Sequence, residues 1–142
     1  METSFVYGLQ YGQKTLEANL NGISNEESMQ QIDNINCINW LIGHIVTVRQ
    51  AWIKKQRPGY NVYEALSSQY RTGNYFNADS ANTIEQLIGW EQEQQKILLD
   101  MAEKKEITNK DVFISYMLHE LYHVGQIGTV RKLLGKGSGV GV

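Results

Sequence analysis

The sequence predicts an all-α fold: a four-helix bundle with one long crossover between its second and third helices. Two observations carry this. Apolar residues recur at helical spacing through most of the chain, while no convincing period-2 run occurs and the single proline is Pro58. The periodic stretches also number four, of roughly 18–25 residues each, and one polar, aromatic connection separates the middle two.

The first helix runs from about Ser4 to Asn21, with Phe5, Leu9, Leu16 and Leu20 on one side. Gly22 breaks it. Ser24-Asn25-Glu26-Glu27 then has the Ser-x-x-Glu spacing of a capped short turn. The second helix runs from about Asn34 to Gln56 on the stripe Ile38, Leu41, Ile45, Val48 and Trp52, and Arg57-Pro58-Gly59 stops it. The connection from Tyr60 to Ala81 holds Tyr60, Tyr63, Tyr70, Tyr75 and Phe76, with a short helix near Val62–Gln69. A connection of that length is functional or joins opposite ends of a bundle.

The third helix starts near Asn82-Thr83-Ile84-Glu85, which has capping-box spacing, and runs to about Lys105. Its stripe is Ile84, Leu87, Ile88, Leu98 and Met101. The middle of that face is polar, with Glu91, Gln94 and Gln95, and reads first as a widened, wet end of the bundle. The fourth helix starts near Thr108-Asn109-Lys110-Asp111 and ends before Gly135, which suits a C′ position. Phe113, Met117, Leu121, Val124 and Leu134 mark one side; Val112, Tyr116, His119, His123 and Val130 mark the next. So wide an apolar arc packs on more than one neighbour.

At 142 residues the chain reads as a single domain over 1–134, followed by a Gly-rich tail, 135–142, expected to fray. The net charge of −2 and the absence of a large Lys/Arg cluster disfavour nucleic acid. No apolar run reaches the ~20 residues of a membrane span, and the N-terminus lacks the pattern of a signal peptide. The lone Cys37 excludes an internal disulfide and fits a reducing, cytoplasmic setting. It reads as a small core residue.

The chain has three histidines. His119 and His123 stand one helical turn apart on one face, and His44 lies in the apolar stripe of the second helix. A pair at that spacing can grip one ion, and a third imidazole from a facing helix completes a three-nitrogen site. That arrangement leaves a position open for water or substrate. A zinc-protease reading is disfavoured, because no His, Asp or Glu follows His123. Gln126 projects on the ligand face and is a candidate to orient a thiol, a water or a substrate, or to bond between helices. Glu91 is a candidate imidazole acceptor or base. Glu120 lies roughly 100° round the helix from His119, which suits an interhelical salt bridge better than catalysis. Trp40 and Tyr122, beside the ligands, read as core.

Two motifs make the chain recognisable. Asn39-Trp40-Leu41-Ile42-Gly43-His44-Ile45 resembles the second-helix motif of the DinB-like family. His119-Glu120-Leu121-Tyr122-His123-Val124-Gly125-Gln126-Ile127, followed by Arg131-Lys132-Leu133-Leu134-Gly135, resembles that family's last-helix motif. The resemblance implies an up-down-down-up bundle, a frequent homodimer, and one divalent metal ion per chain held by His44, His119 and His123. Relatives include bacillithiol transferases and a mycothiol-dependent maleylpyruvate isomerase, and many members have no known activity. Trp52 and Trp90, read as exposed, and the wide arc of the fourth helix add to the homodimer expectation.

The leading expectation is therefore a metal-dependent transferase acting on a small-molecule substrate with a low-molecular-weight thiol. Zinc or nickel leads as the ion, and iron and manganese also accept imidazole. Cys37 lies two helical turns from His44, so the thiol would come from outside the chain. The alternatives are a non-catalytic stress-response protein binding metal or a small ligand, and a metal-dependent hydrolase.

Overall fold

In the computed structural model, which describes residues 2–140, side-chain caps mark the starts of three helices, those that begin at Asn25, Ile84 and Lys110. Six helices form: α1 (Glu2–Leu20), α2 (Asn25–Met29), α3 (Ile38–Gln56), α4 (Glu64–Gln69), α5 (Ile84–Glu103) and α6 (Lys110–Leu133). No strand occurs among the described residues; Ile32 and Ile35 form one isolated bridge. Ser24 and Glu27 close the expected capping box on α2.

The box on α5 lies one residue later than the sequence spacing suggests, on Thr83 and Gln86. Asn82 is occupied elsewhere: its amide donates to Gln69 Oε1 at 3.2 Å and its carbonyl accepts from Asn39 at 2.8 Å. α3 likewise begins at Ile38 rather than Asn34. Asp33 is in the left-handed region, with φ 49°, and the chain turns there before Cys37 becomes the N-cap. α6 opens on Asn109 and closes before Gly135, whose φ of 80° supplies the expected left-handed C′.

The four long helices touch in a ring, α1 to α6 to α3 to α5 and back to α1. Contact register gives their directions. Phe5 meets Phe113 and Asn19 donates to the Val124 carbonyl, so α1 and α6 run the same way. Gln94 donates to the Val46 carbonyl and Arg57 pairs with Asp100, so α3 and α5 also run the same way. Gln95 donates to the Leu9 carbonyl and Gln13 to Glu91, so α1 and α5 are opposed. Two consecutive long helices that run in parallel require a return over the length of the molecule, and residues 57–83, including α4, make it.

Two apolar clusters fill the ring. One gathers Leu16, Leu41, Ile45, Leu87 and Val124; the other gathers Phe5, Leu9, Trp52, Leu98 and Phe113. Between them, on every long helix, lies a polar residue: Gln13, Arg49, Glu91 and Glu120. The middle of the α5 face is thus not a wet end, because Glu91, Gln94 and Gln95 are all buried. Burying a lone charge would cost several kcal/mol. Arg49 instead uses all five of its N–H groups. Nε and Nη2 donate to the two Glu120 oxygens, Nη1 to the Glu91 carboxylate and carbonyl, and Nη2 also to Gln95.

Trp52 is buried against Phe113 and Tyr116, at centroid distances of 4.9 and 5.6 Å, which corrects its reading as an exposed aromatic. Trp90 is half-buried and stacks on Tyr63 at 4.6 Å. Cys37 is a buried core residue, as expected. Residues 135–140 lie beside α1 and α2: Arg131 Nε donates to the Gly137 carbonyl and Lys136 pairs with Glu27 at 2.9 Å. The last two residues of the tail, 141 and 142, fall outside the described residues. No helix among the described residues is long and apolar enough to cross a membrane.

Candidate metal centre

α3 and α6 run in opposite directions and bring the three histidines together. His44 comes from the apolar stripe of α3. His119 and His123 come from successive turns of α6. One nitrogen from each lies within 4.8 Å of the others, so the trio can hold a metal ion. The rings stand nearly edge to face: His44 to His123 is 4.7 Å at 79°, and His119 to His123 is 4.5 Å at 80°. His44 and His123 are buried and His119 is exposed, so the cluster opens to solvent on the His119 side.

Hydrogen bonds fix which nitrogen the His44 and His123 rings offer. His44 Nδ1 is 2.8 Å from the Tyr70 carbonyl oxygen, an acceptor only, so it donates there and leaves Nε2 free. His123 Nδ1 donates to Gln126 Oε1 at 2.6 Å, again leaving Nε2. The Nε2 atoms of His119 and His123 are 3.0 Å apart. Two imidazoles on one ion at about 2.0–2.1 Å each stand roughly 2.9–3.4 Å apart, so the pair fits a shared ion.

Both outer partners are neutral oxygens, which hold the rings without moving them toward the imidazolate. Burial pushes the His44 pKa below its usual value, with the facing His119 adding to this against the Tyr70 hydrogen bond. Burial also lowers His123, opposed by Gln126. Both groups are thereby kept in the neutral form that coordination needs.

Trp40 stacks on His44 at 4.9 Å with an 8° interplanar angle and is buried, as expected of a core residue. Tyr122 is the correction: at 64 % exposed it belongs to the rim and not to the core. Its hydroxyl accepts from Gln126 Nε2 at 3.3 Å, extending the chain His123–Gln126–Tyr122 outward. Gln126 therefore bonds within its own helix, to His123 and Tyr122, rather than between helices.

Glu120 makes the expected interhelical salt bridge, to Arg49, and accepts from Tyr116 at 2.9 Å. Glu91 lies in the same cluster. Its carboxylate accepts from Arg49 at 2.8 Å and from Gln13 at 3.1 Å, and burial raises its pKa despite Arg49. Sequence reasoning misses two residues here. Arg49 has a signal, a lone cation in an apolar stripe facing a helix with a lone carboxylate. Tyr70 has none, because its carbonyl reaches His44 only through the path of the crossover.

Comparison with known families gives an independent finding. A family model described as "DinB family" covers residues 3–139. The chain belongs to the DinB family. In this DinB protein the match runs past residue 134 and takes in most of the tail. No curated protein and no solved structure gives a significant match.

Proposed function

We propose that this DinB-family protein binds one divalent metal ion through the Nε2 atoms of His44, His119 and His123 and uses it to transfer a low-molecular-weight thiol to a small electrophilic substrate. One observation carries the reading: three imidazole nitrogens converge, two of them fixed from behind by neutral acceptors, in a cluster open on one side. When bound, a divalent ion with three neutral ligands lowers the pKa of a thiol or water at its open position. The chain's own part is to keep the imidazoles neutral and aimed, and to supply a rim. Gln126 holds His123. Exposed Tyr122 and His119 line the entrance where a substrate would approach. Glu91 enters only through Arg49 and Glu120, because its carboxylate is already taken.

Zinc or nickel suits three imidazoles best, with iron or manganese next. The ring of helices is an up-down-down-up bundle, a single domain over 1–134 with the Gly-rich tail after it, and the protein is cytoplasmic. Association as a homodimer has a candidate face in the exposed Tyr7, Tyr11, Ile114, Leu118 and Leu121 on neighbouring α1 and α6.

The test is elemental analysis of untagged protein, followed by a transfer assay with several cofactor thiols. One metal per chain and turnover with one thiol are expected. Metal without turnover on any thiol would favour the non-catalytic or hydrolytic readings. No metal would remove the proposal.

A further inference from the structure

His44 is held by a residue 26 positions away whose own placement is determined at three points. Tyr70 is the C-cap of α4 and is buried to 1 % exposure. Its carbonyl oxygen accepts from His44 Nδ1 at 2.8 Å. Its hydroxyl donates to Asn39 Oδ1 at 3.0 Å and accepts from the backbone N–H of Asn82, also at 3.0 Å. Asn39 in turn donates to the Asn82 carbonyl. One side chain therefore joins the start of α3, the segment leading into α5 and the end of α4.

The ring needs room to lie there, and Gly43 supplies it. A Cβ at position 43 would overlap the Tyr70 ring at Cδ1, Cγ and Cε1. Gly43 is mid-helix, where glycine costs about 1 kcal/mol relative to alanine. Its φ is not in the left-handed region, so the reason for glycine is the close approach of the ring. The ligand thus directly follows the one residue whose missing side chain admits the ring of its outer partner.

We propose that Tyr70 is a positioning residue for the metal centre. Its carbonyl holds His44 in the tautomer that presents Nε2, its hydroxyl locks that carbonyl to the crossover and α5, and Gly43 makes the space. This rests on the metal reading above. It adds that the ligand geometry depends on the crossover, so ion binding and ordering of residues 70–82 stabilise each other.

The experiment compares the full chain with Tyr70→Phe, which deletes only the hydroxyl, and Gly43→Ala, which puts a methyl in the ring's place. Phe113→Leu, in the distant apolar cluster, serves as a control for lost stability. Zinc affinity is measured by chelator competition, the His44 tautomer by long-range proton–nitrogen NMR of metal-free protein, and the site by its cobalt absorption.

In the unmodified chain the His44 proton should reside on Nδ1. Tyr70→Phe should weaken zinc binding about ten-fold, the lower end for an outer partner of a ligand. It should also shift the cobalt bands and disturb the His44 tautomer while leaving the His119 and His123 signals in place. Gly43→Ala should lose up to about a hundred-fold. Phe113→Leu should leave affinity and tautomer unchanged.

If Tyr70→Phe changes neither affinity nor tautomer, the positioning role is overturned while the metal site stands. If the unmodified chain binds no zinc or cobalt, the metal reading falls, and the metal-free tautomer still decides whether Tyr70 governs His44. Should Gly43→Ala fail to fold, Tyr70→Phe alone decides between these outcomes.

Discussion

Two polar clusters interrupt the apolar core of this protein, and they are built on opposite plans. Around Arg49 every donor has an acceptor: five N–H groups meet two carboxylates, a carbonyl and an amide oxygen. Around the histidines the outer nitrogens of His44 and His123 are satisfied, while the inner ones converge, with the Nε2 atoms of His119 and His123 3.0 Å apart. The first cluster is closed on itself. The second gathers three nitrogens that could hold a metal ion. A buried polar residue is therefore weak evidence of a site by itself, and the balance of donors and acceptors separates scaffold from chemistry.

The largest effect should come from opening the closed cluster. Arg49→Ala leaves Glu91 and Glu120 buried without their cation and should cost about 3–5 kcal/mol, read from urea unfolding. That is a large part of a typical domain's 5–15 kcal/mol. Replacing Arg49, Glu91 and Glu120 together by Met and Leu should recover most of the loss, because an apolar layer of similar volume serves as well. If Arg49→Ala costs under about 1 kcal/mol, the cluster is not the scaffold described here.

Next comes removal of a ligand from the open cluster. His123→Ala should reduce metal content from one per chain toward zero with helicity by far-UV circular dichroism mostly intact. Unchanged stoichiometry would place the ion elsewhere. Gln126→Ala is gentler. It removes the acceptor of His123 Nδ1–H and should weaken metal binding about 10–100-fold without emptying a site held at excess metal. Equal affinity in the two proteins would reduce Gln126 to a surface residue.

The smallest effect distinguishes the clusters by pH. His44 and His123 have folded pKa values lowered by burial. For a His lowered on folding, the stability it supports is present above the unfolded value of ~6.5 and lost as pH falls through the folded value. Metal-free protein should therefore weaken as pH falls below about 6.5. Metal binding should decline as protons compete for the same nitrogens, beginning below the pH at which free imidazole would charge. Stability and metal affinity that are flat from pH 7.5 to 5 would show that these imidazoles neither titrate nor coordinate.

The open cluster is far more legible in the sequence than the closed one. His119 and His123 declare themselves by spacing on one helix, and His44 by standing in an apolar stripe where an unpartnered imidazole is costly to bury. The helices follow from periodicity, and their relative directions from contacts such as Phe5 with Phe113. The polar centre is misread from sequence because periodicity marks a break in a stripe but not what faces it. Glu91 looks like the start of a wet end until Arg49, 42 residues away, is found to meet it. Trp52 and Tyr122 exchange surface and core for a related reason. Position on a helix face says little at the edge of an apolar arc, where the neighbouring helix decides. Tyr70 acts through its backbone, and no residue type advertises that.

The parallel alignment of α1 and α6 sets an order of events. The first long helix is a neighbour of the last one, with Asn19 bonded to the Val124 carbonyl and Arg131 to the Asn19 carbonyl. Two of the three imidazoles are on that last helix. A nascent chain that has emerged through α5 presents a single histidine and no chelate, and its α1 still lacks one flank. The three-nitrogen cluster is therefore assembled only once α6 has docked against α3.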